Sequence, residues 1–203
     1  MSTIQLNSKD FASQTSSAEP VIASTVTGGT GLADTSTKLS TAEMWTYEGS
    51  DFAGSVVPVI NFERISEPAG YGGVIDGSGI TVDASTKSIF TFPSTGHWWI
   101  YVCWTFYRGS GSDRAAGVRI QTTVDGDAGS PTYVDACWGI QSLYHDSTGN
   151  RYANISANHI FDVTSTATHK FRLGTDSPSA TTYTQNSDNQ NRSNITFFRL
   201  GDT

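Results

Sequence analysis

Basic residues are scarce in this chain. Its 203 residues include 12 Lys and Arg against 19 Asp and Glu, which gives a formal net charge of -7. Neither Lys nor Arg forms a cluster anywhere in the sequence. Because nucleic-acid binding depends on cations that neutralise phosphates, this composition argues against a nucleic-acid partner. The acidic net charge leaves a partner with a basic surface open.

Cysteine is almost absent. Cys103 and Cys137 are the two cysteines, and each falls within a predicted strand. Two cysteines do not make a disulfide framework. They can pair if their strands are neighbours, but we favour two buried thiols that act as small hydrophobic side chains.

Long apolar runs are missing too. No stretch approaches the roughly 20 residues that span a bilayer. Residues 1–10 have neither the basic segment nor the apolar core of a secretory signal. We therefore expect that the protein does not associate with a membrane. We also expect that it is synthesised in a cytoplasm.

Catalytic and cofactor motifs are also lacking. The chain has no G-x-S-x-G nucleophile turn, and no two histidines have the close spacing of metal ligands. The four histidines are His97, His145, His159 and His169. Asp125-Gly126-Asp127 could bind calcium, but these residues more often form a turn. We predict no catalytic residue, metal or cofactor.

One alternative keeps an enzymatic function open. Several carboxylates crowd the region just after residue 42, and paired carboxylates can hydrolyse glycosides when their separation is right. These carboxylates are Glu43, Glu48, Asp51, Glu63 and Glu67. The sequence does not reveal their separations, and we predict that the protein is not an enzyme.

The most informative stretch that is present runs from Gly96 to Tyr107. Read with the two-residue period of a strand, it has one wholly apolar face and one face of large side chains with polar tips. The apolar face comprises Trp98, Ile100, Val102, Trp104 and Phe106, and the other comprises His97, Trp99, Tyr101, Cys103, Thr105 and Tyr107. Tyr and Trp favour surfaces that are buried on one side and wet on the other. The second face therefore either contacts another subunit or lies inside one sandwich.

Other segments also alternate as strands do. Phe90 and Phe92 share a face, and residues 117–125 place Val118, Ile120, Thr122 and Val124 opposite a solvated face. Further apolar faces comprise Val134, Ala136, Trp138, Ile140 and Tyr144, then Ala153, Ile155, Ala157, Phe161 and Val163, then His169, Phe171 and Leu173. Residues 55–65 and 194–200 are further strand candidates, with a long polar loop over residues 174–192.

No window has helical periodicity. About nine or ten strands spaced 8–15 residues apart predict an all-β fold, an antiparallel sandwich or jelly roll. We assign this domain to residues 43–203.

Residues 1–42 differ in composition. They are rich in Ser, Thr, Ala and Gly and have too little apolar surface to fold alone. They form either a disordered tail or an extended arm that becomes ordered on a partner, which we favour. Its candidate anchors are Ile4, Leu6, Phe11, Val21 and Ile22.

Several adjacent motifs carry a family resemblance. They are GITVD at residues 79–83 followed by IFTFP at 89–93, TGHWWI at 95–100, DVTS at 162–165 with HKFR at 169–172, and NITFFRLGDT at 194–203. Together they resemble the C1q/TNF-like jelly-roll superfamily, including versions found on phage particles, over roughly residues 50–203. His97-Trp98 stands where that family usually has a smaller residue and Tyr.

The resemblance implies a compact homotrimer in which aromatic strand faces meet near a three-fold axis. The implied interface residues are Trp99, Tyr101, Cys103, Thr105, Tyr107, Phe198 and Leu200. No collagen-like Gly-X-Y repeat is present, and a β domain with an arm resembles a phage capsid decoration (cement) protein most. That resemblance implies a virion structural protein on the capsid surface, synthesised in the host cytoplasm, whose arm binds the major capsid protein or another virion protein and stabilises the shell.

A second function stays open. The protein is alternatively the receptor- or glycan-binding head of a phage tail or head fibre. In that case the loop at 174–192 and exposed Tyr144, Tyr152 and Tyr183 would stack on sugars.

Overall fold

The computed structural model describes residues 2–6, 9–14, 21–22, 41–65, 79–111, 113–143, 151–177, 179–186 and 191–203. The chain divides into two compact units, Met1–Lys38 and Leu39–Thr203. Each unit is described by itself below.

The N-terminal unit contains a three-stranded antiparallel sheet. Its strands are β1 (Ser2–Leu6), β2 (Lys9–Gln14) and β3 (Val21–Ile22), in the order β1-β2-β3. All five candidate anchors lie in these strands, and the Cα of Ala12 pairs with those of both Ile4 and Ile22. That residues 1–42 are an arm and that these residues bind a partner stays a prediction.

The second unit is an antiparallel β-sandwich, as predicted. Its strands are β4 (Ala42–Tyr47), β5 (Phe52–Ala53), β6 (Phe62–Arg64), β7 (Thr81–Val82), β8 (Phe90–Thr91), β9 (Gly96–Arg108), β10 (Asp113–Thr123), β11 (Val134–Leu143), β12 (Arg151–Val163), β13 (Lys170–Asp176), β14 (Thr182–Thr184) and β15 (Asn194–Gly201). One sheet has the order β11-β10-β13-β8-β7. The seven-stranded sheet has the order β5-β14-β9-β15-β4-β6. Strands β14 and β15 share one edge of β9, and β12 pairs with its other edge. The described residues contain no helix, and therefore none with the length and apolarity to cross a bilayer.

Strand β9 organises the seven-stranded sheet. It pairs with β12 along its whole length on one edge, and with β15 and β14 in succession on the other. Its predicted apolar face is confirmed as the centre of the core, because all five of its apolar side chains are at most 1% exposed. Burying each of these side chains contributes on the order of 2–3 kcal/mol.

Aromatic rings join the two sheets across the core. Phe90 of β8 lies 5.2 Å from Phe171 in its own sheet and 5.5 Å from Trp45 and 5.4 Å from Phe197 in the other, between ring centroids. The predicted inward positions of Phe90 and Phe92 are confirmed, as is the inward face of β12. Edge-to-face and tilted ring pairs of this kind add to the energy of simple burial.

Residues 55–65 are not one strand, contrary to prediction. Val56 bridges Thr175 of the five-stranded sheet, whereas Phe62 pairs with Tyr47 in the seven-stranded sheet. The segment therefore crosses from one sheet to the other and cannot stay in a single ladder. Pro58, which has no N–H to donate, lies within this crossing. The predicted loop at 174–192 is also partly wrong, because it contains the end of β13 and all of β14.

Of the predicted apolar face of β11, only Ala136 packs against the core among the described residues, and Tyr144 lies outside them. Trp138 and Ile140 point outwards and are about half exposed, while Cys137 pairs with buried Ile120 and packs against the core. A bulge between Ile120 and Gln121 shifts the register of β10 against β11. Because Trp138 pairs with the outward residue Arg119, this edge strand turns its larger apolar side chains to solvent.

The solvated face predicted for β10 is also partly wrong. Gln121 and Thr123 are buried, although both lie on the outward side of the five-stranded sheet. Gln121 accepts a hydrogen bond from Arg172 Nε at 2.7 Å and donates one to Asp135 at 2.6 Å. Val124, predicted to face inwards, lies beyond the strand end and is exposed.

Two aspartates shape the connecting turns. Asp125 accepts the Thr132 N–H at 3.0 Å, so the turn interpretation of Asp125-Gly126-Asp127 is supported. Asp83 accepts the N–H groups of Ser88 and Ile89, each at 2.7 Å, and that of Thr86 at 2.8 Å. Partial burial alone would raise the pKa of Asp83, but these hydrogen bonds hold it well below its ordinary value.

We expect the Asp83 turn to lose its contribution to stability in acid. A carboxylate whose pKa is lowered by folding stabilises the protein above its unfolded pKa of about 3.9. That contribution is lost as the pH falls through the folded pKa. Asp83→Asn should lower the free energy of unfolding by about 1 kcal/mol at neutral pH, since the carboxylate is only partly buried.

Urea unfolding at neutral pH and at about pH 3 measures this difference between wild type and Asp83→Asn. The difference should shrink at the lower pH. Asp162→Asn makes the same chemical change at an exposed position on β12 and serves as the control. A deficit of the same size at both pH values would contradict the assigned role.

Candidate functional site

The outward face of the seven-stranded sheet consists of side-chain rows across β12, β9 and β15 or β14. The rows follow from the register of β9 with its neighbours. From one end of β9 to the other they are Ile160–Trp99–Phe198, Asn158–Tyr101–Thr196, Ser156–Cys103–Asn194, Asn154–Thr105, and Tyr152–Tyr107–Tyr183. The face is therefore apolar at one end, polar in the middle and tyrosine-rich at the other end.

The apolar end is centred on Trp99. Its ring stacks on Phe198 at 5.5 Å and lies 6.0 Å from Tyr101, between centroids. Ile160 and Leu200 each remain more than half exposed beside it. Large apolar side chains that are ordered yet exposed are typical of protein–protein contact surfaces.

A stack of three tyrosines forms the other end. Tyr107 lies 5.1 Å from Tyr183 with ring planes 15° apart, and 5.7 Å from Tyr152. Burial raises the pKa of Tyr107, and both the charge of Asp51 and its hydrogen bond with that carboxylate raise it further. The Tyr107 hydroxyl therefore stays protonated at neutral pH and can donate to Asp51.

An open cavity of about 570 Å³ lies between the polar rows and the tyrosine stack. Strands β9 and β12 and the two ends of the 185–192 segment line it. The lining residues are Cys103, Thr105, Tyr152, Asn154, Gln185, Asn191 and Arg192.

Hydrogen bonds fix the floor of this cavity. The Thr105 Oγ1 lies 2.8 Å from Asn154 Oδ1 and 2.7 Å from the Arg192 carbonyl oxygen, and these two acceptors share its single proton. The Gln185 N–H donates to the Thr105 carbonyl oxygen at 2.9 Å. Thr105 thus links three sides of the cavity through one residue.

Neither cysteine is in a disulfide. Cys103 lines the cavity in β9, and Cys137 lies in β11 of the other sheet. Partial burial raises the pKa of Cys103, so its thiol stays protonated at neutral pH.

A second apolar surface lies on the outward side of β11. The Trp138 indole lies over the β10 backbone, where a Cβ at Gly117 would clash with its Nε1. The Arg119 guanidinium is 5.5 Å from the indole centroid and pairs with Asp135 and Asp176. These contacts hold Trp138 in place while 49% of it remains exposed.

The predicted interface residues fall on one face, with different exposures. Trp99, Tyr101, Cys103 and Tyr107 are half-buried on the outward face of β9, while Thr105 is only 6% exposed. Phe198 lies in the same row as Trp99, and Leu200 is exposed next to the bulge at the end of β15. Their role in a trimer stays a prediction.

Sequence reasoning missed several residues of this face. Ile160, Asn154, Gln185, Asn191 and Arg192 were not selected. The two-residue period of β12 could have revealed Ile160 and Asn154, since both share a side with Tyr152. The other three lie in the loop at 174–192 that the glycan-binding alternative named, but no sequence pattern distinguishes them from its other residues.

Two of the crowded carboxylates, Glu43 and Glu63, make separate structural contacts. Glu43 is buried, accepts the Trp45 Nε1–H at 2.9 Å and the Ile80 N–H at 2.8 Å, and pairs with Arg64. Glu63 pairs with Lys87 at the surface, and Glu67 lies outside the described residues. These contacts give no support to a glycosidase pair.

Three of the four histidines lie in the described segments, and His145 does not. His97 contacts the Asp202 carbonyl oxygen, and buried His169 bonds Thr164 and Thr168. His159 is half-buried, and burial lowers its pKa. Within the ranges that the structure describes, no three His, Cys, Asp or Glu side chains are grouped as metal ligands.

Comparison with known proteins relates this architecture to TNF proteins. No family model matches the sequence, and no curated protein matches it. The structure resembles Eiger TNF from S. frugiperda with a TM-score of 0.53 and 12% identity, over 80% of this chain and 93% of that one. It also resembles murine APRIL with a TM-score of 0.50 and 10% identity, over 79% of this chain and 99% of that one. The chain therefore has a TNF-like jelly-roll fold, as its sequence motifs predicted.

Proposed function

We propose that this protein is a non-enzymatic, homotrimeric capsid decoration protein of a phage, which binds the capsid surface through its N-terminal arm and stabilises the shell. The observation that carries the proposal is the exposed apolar row around Trp99. In a monomer these apolar side chains would stay in contact with water and contribute no burial energy.

The two apolar surfaces suggest how three copies would meet. The Trp99 row lies on the face of one sheet, whereas Trp138 and Ile140 lie on the edge strand of the other. A contact between two different surfaces is heterologous, and such contacts close into rings when the rotation permits. The C1q/TNF-like resemblance favours a ring of three.

Trimerisation would then make weak arms effective. Three arms on one trimer bind in parallel, so the combined affinity exceeds that of any single arm by orders of magnitude. A ligand that binds only the assembled shell stabilises that shell. Decoration of a capsid therefore needs only modest contacts from Phe11, Ile22 and the other candidate anchors.

Immunogold electron microscopy of phage particles from the source, with antibodies against the full chain, tests the location. We expect gold spread over the head. Substituting Phe11→Asp should then reduce binding of the protein to undecorated particles at least tenfold in a co-sedimentation assay, because a charge replaces an apolar anchor in each of three arms.

Ser13→Asp adds the same charge to β2 without removing an anchor, and it should bind nearly as wild type. Gold confined to the tail or to one vertex would favour the fibre-head alternative. Absence of gold from every particle, with the epitope shown to be accessible, would overturn the virion assignment.

A further inference from the structure

We propose that the tyrosine stack and the adjoining cavity form a carbohydrate-binding site. Its platform is the exposed ring of Tyr152, and its polar groups are the side-chain amides of Asn154, Gln185 and Asn191. The inference concerns the end of the outward face opposite to Trp99, and it does not depend on capsid binding.

The platform is ordered before any ligand arrives. Tyr152 is 58% exposed, yet its ring rests on Tyr107, which in turn stacks on Tyr183. Because the stack already fixes the side chain, little conformational entropy remains to be lost on binding. A sugar ring, with a C–H face and a rim of hydroxyls, matches a tyrosine that has an apolar body and a polar tip.

The amides supply both donors and acceptors. Asn154 Oδ1 lies 2.8 Å from Thr105 Oγ1 and shares that hydroxyl proton with the Arg192 carbonyl oxygen, so the Asn154 NH₂ group points away from Thr105. The backbone of Gln185 is held on both sides, since its N–H donates to Thr105 and its carbonyl oxygen accepts from Ser193 Oγ at 2.7 Å. Adjacent hydroxyls of a sugar each donate and accept, and amide side chains can meet both requirements.

Charge and composition argue against other ligands. Among the described residues that line the cavity, none is a carboxylate or a histidine, the usual ligands of a metal ion. A net charge of -7 disfavours a phosphate-bearing strand, although stacked tyrosines could otherwise hold bases. A volume of about 570 Å³ falls in the range of small-ligand sites and has room for one or two sugar units.

The site is also well separated from the apolar row. Tyr107 and Trp99 are eight residues apart on β9, which is roughly 26 Å along a strand. Contacts made at Trp99 and sugar contacts made at Tyr152 are therefore distinct events that can be measured separately.

Saturation-transfer NMR on the full chain tests the proposal with three probes at millimolar concentration: maltotriose, chitotriose and trigalacturonic acid. We expect transfer to the ring protons of at least one probe. Tyr152→Ala and Asn154→Ala should each weaken that binding at least tenfold, because one removes the platform and the other an amide. Tyr152→Phe should retain most of it, since the ring remains.

Asn158→Ala is the matched control, because Asn158 lies on the same strand and side as Asn154 but outside the cavity. It should bind as wild type. Gln185→Ala provides a second route into the site if Tyr152→Ala fails to fold, as judged by near-ultraviolet circular dichroism. No transfer to any of the three probes, or binding that survives both Asn154→Ala and Gln185→Ala, would overturn the proposal. Neither result would bear on capsid decoration, which is scored by particle labelling.

Discussion

Trp99→Asp is expected to convert the proposed trimer into monomers at micromolar concentration. The substitution removes the central ring of the apolar row and places a charge beside Phe198, which stacks on Trp99 at 5.5 Å. In a ring of three copies the change occurs at every contact. Loss of a central aromatic typically costs about 2–4 kcal/mol at one interface, so the dissociation constant should rise about 100-fold or more.

Sedimentation velocity over a range of concentrations measures this shift. Val124→Asp adds the same charge at an exposed apolar position just beyond the end of β10 and should leave the mass unchanged. Because Trp99 lies outside the core, far-ultraviolet circular dichroism of Trp99→Asp should match that of wild type. A wild-type protein that sediments as a monomer throughout, or a trimer that tolerates Trp99→Asp, would contradict the assigned face.

The second large effect concerns the opposite side of the same strand. We expect Trp104→Ala to lower the free energy of unfolding by about 3–5 kcal/mol. Trp104 is fully buried, with its ring 5.7 Å from Tyr47 and 6.0 Å from Phe62. Its Nε1 donates to Thr184 Oγ1 at 3.1 Å. The truncation therefore leaves a cavity and also removes the hydrogen-bond donor of this buried hydroxyl in β14.

Urea unfolding at fixed protein concentration measures the loss. Trp104→Phe keeps most of the ring and removes the hydrogen bond, so it should cost clearly less, about 1–2 kcal/mol. If Trp104→Ala and Trp104→Phe were equally destabilised, packing would not be the main contribution of this residue. A loss below about 1 kcal/mol for Trp104→Ala would contradict its place in the core.

The sequence predicts the fold well where burial alone decides which way side chains point. Apolar and polar-tipped side chains alternate along β9 without interruption, and apolar side chains recur at every second position on the inward face of β12. This two-residue period identifies both strands. Residues 55–65 also look like one strand, but the chain there leaves one sheet for the other, and a local pattern contains no information about which ladder each half joins.

The outward orientation of Trp138 is harder to foresee for a different reason. A bulge in β11 at Ala136 shifts its register against β10, and β11 is an edge strand whose outward side is open. Apolar periodicity identifies a face of such a strand, but it does not say whether the core or another molecule covers that face.

The candidate site is predictable only in part. The polar-tipped side of β9 pointed to Trp99, Tyr101 and Tyr107 as contact residues. The cavity, in contrast, is assembled from β9, β12 and two ends of an irregular segment, which are adjacent only through the topology of the sheet. Gln185 and Arg192 therefore become candidates only once the pairing of β14 and β15 with β9 is known.

The full-length pairing of β9 has an evolutionary consequence. One side of this strand fills the core and the other carries both proposed contact surfaces, so inserting a single residue in its middle would exchange the two sets of side chains beyond that point. Such an indel would damage folding and recognition at once, whereas a length change in the connections after β10 or β13 would disturb neither ladder of β9. Lineages that diverge from this chain are therefore expected to vary in loop length while the thirteen-residue length of β9 stays fixed.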